Sequence, residues 1–148
     1  MQAQEMWEKF LRSSHTDADK YEAWAFGGAP DELADLVLAG QKTATASAYE
    51  LYELEKEPLP QTGDYSVILD SNGEARCVIR TTKLAVIPFQ DVSPEHAAKE
   101  GEGDKSLAYW QAVHKDFFTD CLQKAGLPFR ENMPVLCEEF EVCFPLTS

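Results

Sequence analysis

"GDYSVILDSNGEARCVIRTTKLAVIPF", residues 63–89, decides the fold. Tyr65, Val67 and Leu69 recur every second residue, so they share one side of a strand. Asn72-Gly73 is a two-residue turn signal, because both residues tolerate the left-handed backbone a tight hairpin needs. Cys77, Ile79, Leu84, Val86 and Ile87 carry the returning strand onward. The stretch therefore predicts an antiparallel hairpin with one wet face.

Upstream of the hairpin the period changes. Residues 4–13, QEMWEKFLRS, put Met6, Trp7, Phe10 and Leu11 on one helical face. Residues 17–26 continue that helical segment with Tyr21, Trp24 and Phe26, and Gly27-Gly28 stop it. Residues 1–28 thus read as an N-terminal helical extension. Pro30 opens a second helix with Asp31 and Glu32 in its first turn, where the helix dipole favours acids. Leu33, Leu36, Val37 and the flanking Ala34 are its buried stripe, and Gly40 stands where a left-handed cap belongs. AYELYELEKE, residues 48–57, is short and amphipathic, and Pro58 and Pro60 end it.

Downstream, SPEHAAKE at 93–100 has a Ser93 cap, Pro94 at the first helical position and Glu95 in the first turn. The longest helix is predicted at SLAYWQAVHKDFFTDCLQKAG, residues 106–126. Leu107, Trp110, Val113, Phe117 and Leu122 form its expected inner face, and Gly126 its end. PVLCEEFEVCF at 134–144 is a final strand. With no repeat or linker, the 148 residues read as one α+β domain. Its small, mostly antiparallel sheet is curled into a barrel, with helices at one end and side.

Composition narrows the function. Against 26 acidic residues stand 13 basic ones, a net charge of −13, so the overall field repels polyanions. Proteins that grip a long nucleic-acid backbone present clustered cations, which favours a small substrate or a single nucleoside here. No run approaches the roughly 18 apolar residues of a membrane helix, and MQAQEMWEKF lacks the basic and apolar regions of a signal peptide. The cytoplasm is the expected compartment. Cys77, Cys121, Cys137 and Cys143 form no C-x-x-C pair, and three histidines offer no ligand-like spacing. Four buried thiols, no zinc and no cofactor are expected.

Two stretches carry candidate chemistry. In AGQKTATAS, residues 39–47, Lys42 and Thr45 lie three apart. On a straight strand they would face opposite ways, so they converge only if the chain turns, and Gly40 supplies a turn. A lysine that has lost its proton activates a neighbouring hydroxyl as a nucleophile, whereas a strand start rich in threonine is the plain alternative. In KEGEGDKS, residues 99–106, Glu100, Glu102 and Asp104 alternate with Gly101 and Gly103. Glycines let backbone approach a ligand, and the carboxylates suit a cation or the orientation of a catalytic group. The alternative is an acidic linker, although Glu100 ends a helix, where the dipole disfavours a carboxylate. His114 lies near the inner stripe of the long helix, as a core-edge residue or a ligand contact. Arg76 and Arg80 share a strand face, to hold an anionic or carbonyl group or to pair with acids.

AGQKTATAS resembles the G-x-K-x-x-T signature of the ASCH domain family, similar in fold to RNA-binding PUA domains. PFQDVSPEHAAKEGEGD and YWQAVH follow in the order of the larger bacterial subgroup, and the match covers residues 30–145. The resemblance implies a PUA-like β-barrel with a cleft beside the lysine–threonine turn. Compact family members are amidohydrolases of N4-acetylcytidine whose catalytic set is K-x-x-T plus the glutamate of H-A-x-x-E. Carried over, Thr45 is the nucleophile, Lys42 the base, and Glu100, within His96-Ala97-Ala98-Lys99-Glu100, the group that holds the lysine or the substrate amine. Backbone N–H groups of the Gly40–Thr45 turn are the expected oxyanion donors. Gly40, Ser47, Arg76, Arg80, Glu102, Asp104 and His114 are the candidate substrate contacts. Compact members have arginine where this chain has Ser47, so substrate anchoring is not carried over. The N-terminal segment and the 105–125 helix are candidates for narrowing the cleft or forming a homodimer face. The readings that compete with the hydrolase are a non-catalytic RNA- or nucleotide-binding module and a ribonuclease.

Overall fold

The structure is a computed structural model that describes residues 1–145. Five strands form one curled sheet, a half-barrel in the order β1-β3-β4-β5-β2. The strands are β1 (Glu22–Ala25), β2 (Ala44–Ala48), β3 (Tyr65–Leu69), β4 (Ala75–Pro88) and β5 (Pro134–Phe144). The helices are α1 (Ala3–Ser14), α2 (Pro30–Leu38), α3 (Tyr49–Leu54), α4 (Pro94–Glu100) and α5 (Leu107–Lys124). No helix of the described residues is long and apolar enough to cross a membrane.

The hairpin forms where the sequence places it. β3 and β4 pair antiparallel, Gly73 turns with φ +77°, and β4 runs on to pair with β5 along most of its length. The one-wet-face expectation fails for β3, because helices cover both sides. Val67 packs with Met6, Trp7 and Phe10 of α1, while Ile68 packs with Ala34 and Val37 of α2. Burying successive residues on both faces removes the contrast on which a period-2 reading depends.

Residues 17–26 are the second difference. They do not extend α1: His15 ends that helix in a left-handed conformation, and 22–25 form β1, parallel to β3. Aromatic residues favour strands as readily as a helical face, and pairing with β3 decided between them. A third concerns α5. Its buried residues are Trp110, His114, Phe118 and Leu122, a strict i, i+4 row. Val113 is only half-buried and Phe117 is exposed, one position off the expected stripe. The core under α5 joins Trp110, Phe118 and Leu122 to Phe89, Met133 and Val135. Of the free thiols, Cys77 and Cys137 are buried, but Cys121 and Cys143 are half-exposed.

Candidate active site

Lys42 is buried although nothing in its local sequence demands it. The chain reverses after α2 through a glycine-capped end: Gln41 N–H donates to Leu36 C=O and Gly40 N–H to Val37 C=O, with Gly40 at φ +79°. Lys42 N–H adds a third bond, to Leu36 C=O, and the side chain is thereby turned into the protein at 2% exposure.

The C-terminal end of α4 closes over this turn. Thr43 N–H donates to Lys99 C=O at 2.7 Å. Gly101, at φ +72°, presses so close to residues 41–42 that a Cβ there would collide with the Gln41 carbonyl. The glycine serves chain-on-chain packing rather than approach to a ligand, and Gly103 likewise lies under the Tyr109 ring. Glu100 thus arrives beside Lys42 across 58 residues of sequence.

Glu100 is the hub of a buried polar cluster. Lys42 Nζ stands 3.5 Å from Oε1 and 2.9 Å from Glu102 Oε2. Trp110 Nε1 donates to Glu100 Oε2 at 2.6 Å, and His96 Nε2 is 2.7 Å from the same oxygen. His114 Nε2 lies 3.3 Å from Oε1, and its Nδ1 is 2.9 Å from the Trp110 carbonyl oxygen. Burial opposes ionisation of Glu100. The hydrogen bonds of His114 and His96 and the Lys42 charge outweigh that penalty and hold the carboxyl well below its ordinary value. Glu100, Glu102 and His114 bring three ligand-type atoms within 4.8 Å of one another. The Lys42 ammonium lies against both carboxylates, in the position a cation would take.

Thr45 stands at a cavity wall. It lies on β2 and lines a cavity of about 820 Å³ with Trp24, Phe26, Tyr52, Tyr65 and Phe117. Among the described residues lining this cavity, Lys42 and Glu100 are absent. The cluster reaches the cavity wall through Phe26, whose ring centre is 5.2 Å from Lys42 Nζ. Ser47 also lines the cavity, and its hydroxyl is 2.8 Å from that of Tyr52.

Several expected contacts lie elsewhere. Arg76 pairs with Asp35 and Asp70, Arg80 lies 3.7 Å from Glu141, and neither lines the cavity. Both stand on β4 among surface acids, which neutralise them locally. Asp104 accepts from Ser106 N–H at 2.9 Å and so shapes the start of α5. Gly40 is exposed at the helix end. The turn offers no oxyanion donors at Gly40, Gln41, Lys42 or Thr43, because each N–H already donates to a backbone carbonyl.

The sequence reading missed Glu138. Its carboxyl is 7% exposed at the cavity wall, where Thr81 Oγ1 donates to Oε2 at 2.6 Å. Burial pushes this carboxyl above its ordinary value, and the charges of Asp64 and Glu22 push the same way against the Thr81 bond. The signal was present in PVLCEEFEVCF. Period 2 places Glu138 on the face of Leu136 and Phe140, both 4% exposed, where an apolar residue is the norm.

Residues 22–143 match the family model of the ASCH domain. Among solved structures, the ASCH domain of Lactobacillus crispatus JV V101 is 33% identical over 95% of this chain and 92% of that one, at a TM-score of 0.88. Protein EF3133 of Enterococcus faecalis V583 is 36% identical over 94% of this chain and 86% of that one, at 0.86. No curated protein matches this chain.

Proposed function

This chain belongs to the ASCH domain family, of PUA-like fold, and from that premise we propose that it hydrolyses a small amide, an acylated nucleoside of the N4-acetylcytidine kind. Thr45 is the nucleophile at the cavity wall. Lys42 is the base, and Glu100 and Glu102 hold it. Lys42 is engaged by two carboxylates, so it takes the Thr45 proton only as its own proton passes to Glu102, 2.9 Å away. Glu100, with four donor groups around it, is the fixed counter-charge of that relay.

The observation that carries the choice of a small neutral substrate is the charge of the cavity. Asp19, Glu22, Glu55, Glu57, Asp64 and Glu138 line it, against Lys20 alone among the described cations. Phosphates are repelled from such a wall, whereas a neutral amide and a departing amine are not. RNA binding would need a basic patch, but the cations Lys42, Arg76, Arg80 and Lys83 are each paired with acids: Lys42 with Glu100 and Glu102, Arg76 with Asp35 and Asp70, Arg80 with Glu141, and Lys83 with Glu139. This supports the hydrolase over the RNA-binding and ribonuclease readings. Aromatic walls from Trp24, Phe26 and Phe117 suit a flat ring.

The test is direct. Purified protein is incubated with N4-acetylcytidine, and cytidine release is followed by chromatography. Release that is lost in Thr45→Val is the expected result; a parent protein releasing no cytidine would refute the proposal.

A further inference from the structure

Thr45 and Glu138 are register partners on neighbouring antiparallel strands. Directly opposed residues share a face, with Cβ atoms about 4.5–5.5 Å apart. Both line the same cavity. A carboxyl group therefore stands across one rung from the hydroxyl proposed as nucleophile. A threonine acylated by an amide needs such a group: an amine leaves poorly unless its nitrogen gains a proton as the C–N bond breaks.

We infer that Glu138 is the proton donor to the leaving nitrogen, an inference that rests on the amide-hydrolase reading above. In acylation, with the Lys42 proton passed to Glu102, Thr45 Oγ bonds to the carbonyl carbon and gives its proton to Lys42. As the C–N bond breaks, Glu138 protonates the nitrogen and becomes a carboxylate. In deacylation water attacks the ester carbon and loses a proton to the Glu138 carboxylate. The C–Oγ bond breaks, and Thr45 recovers its proton from Lys42, which then retrieves its own from Glu102. Amide and water yield carboxylic acid and amine, and every protein group returns to its starting state.

The surroundings of Glu138 suit an acid that is restored each cycle. Thr81 of β4 fixes one carboxyl oxygen. Asp64 ahead of β3 and Glu22 of β1 face it with negative charge, Tyr52 of α3 is the neutral protic neighbour, and burial adds to the bias toward the protonated form. Lys20 is the one described cation on the same cavity wall, and no described cation is ion-paired with Glu138 in the way Lys42 is with Glu100.

The experiment compares two acyl donors on the parent, Glu138→Gln and Glu138→Asp, with thermal melts to show that each variant is folded. N4-acetylcytidine needs its leaving nitrogen protonated; p-nitrophenyl acetate, with a good leaving group, does not. Glu138→Gln should lose about 10²–10⁴-fold in amide hydrolysis, the usual share of a general acid. It should still release a burst of p-nitrophenol and then stall, leaving an acetyl group on Thr45 that mass spectrometry locates. Glu138→Asp should retain part of the amide activity. The parent rate on the amide should fall as pH rises through the titration of Glu138, a limb absent from Glu138→Gln. A Glu138→Gln enzyme as active as the parent on both donors overturns the assignment and leaves the hydrolase reading standing. Equal loss on both donors, without a burst, also overturns it, since a positioning defect does not distinguish leaving groups. A parent inactive on both donors removes the hydrolase reading and this inference together.

Discussion

Replacing Glu100 by Gln tests whether the buried cluster is held by charge. The side chain is 1% exposed, and both oxygens face donors: Trp110 and His96 at Oε2, Lys42 and His114 at Oε1. A glutamine must turn its own NH2 toward one of these pairs, and Lys42 keeps only Glu102 as counter-charge. Removing one partner of a buried ion pair costs about 3–5 kcal/mol. For a chain of this size that lowers Tm by roughly 6–20 °C. The pH dependence follows from the sign of the shift. Burial resists the charge, but the histidine bonds and Lys42 depress the Glu100 carboxyl below its ordinary 4.5, so its contribution is complete above that value. The contribution declines as pH falls below 4.5 toward the folded-state value, because the unfolded chain takes up a proton that the folded one refuses. Between pH 5 and 3.5 the stability gap between parent and Glu100→Gln should therefore shrink by about 1.2 kcal/mol. Carboxylates outside the cluster cancel in the difference. Urea titrations at the two pH values measure it. A variant within about 1 kcal/mol of the parent at pH 7, or a gap unchanged between pH 5 and 3.5, would refute the reasoning.

Further outcomes are expected. Gly101→Ala should destabilise the fold by more than about 2 kcal/mol in urea, since a left-handed alanine costs roughly 1–2 kcal/mol and its Cβ also meets Gln41. Gly126→Ala, at φ +79° with open space around it, should cost about 1 kcal/mol, and equal losses would contradict the packing role of Gly101. Lys42→Arg keeps the charge but cannot act as a base, so hydrolysis should fall by about 10²–10⁴-fold with ligand affinity retained. Undiminished turnover would take Lys42 out of the mechanism. Long RNA should bind weakly and with steep salt dependence in fluorescence anisotropy, because clustered cations are lacking. Tight binding at physiological salt would overturn the preference for a small substrate.

Local chemistry fixed much of this molecule. Asn72-Gly73 between two apolar runs set the hairpin, Pro30 and Ser93-Pro94 set two helix starts, and Gly40 ended α2, because capping and turn geometry depend on neighbours within a few residues. The proximity of Lys42 and Glu100 was legible only as a resemblance, since no spacing rule spans 58 residues. Tertiary structure decided the rest. Residues 22–25 became a strand because β3 offered a parallel edge, and β3 lost its wet face because α1 and α2 covered both sides. His114 rather than Val113 turned inward because a buried carboxylate waited there for donors, and Thr45 acquired Glu138 as a neighbour through the β2–β5 register. A side chain's partners across the fold are set by strand pairing and helix docking. Those are cooperative properties of the whole chain, and no short window of sequence contains them.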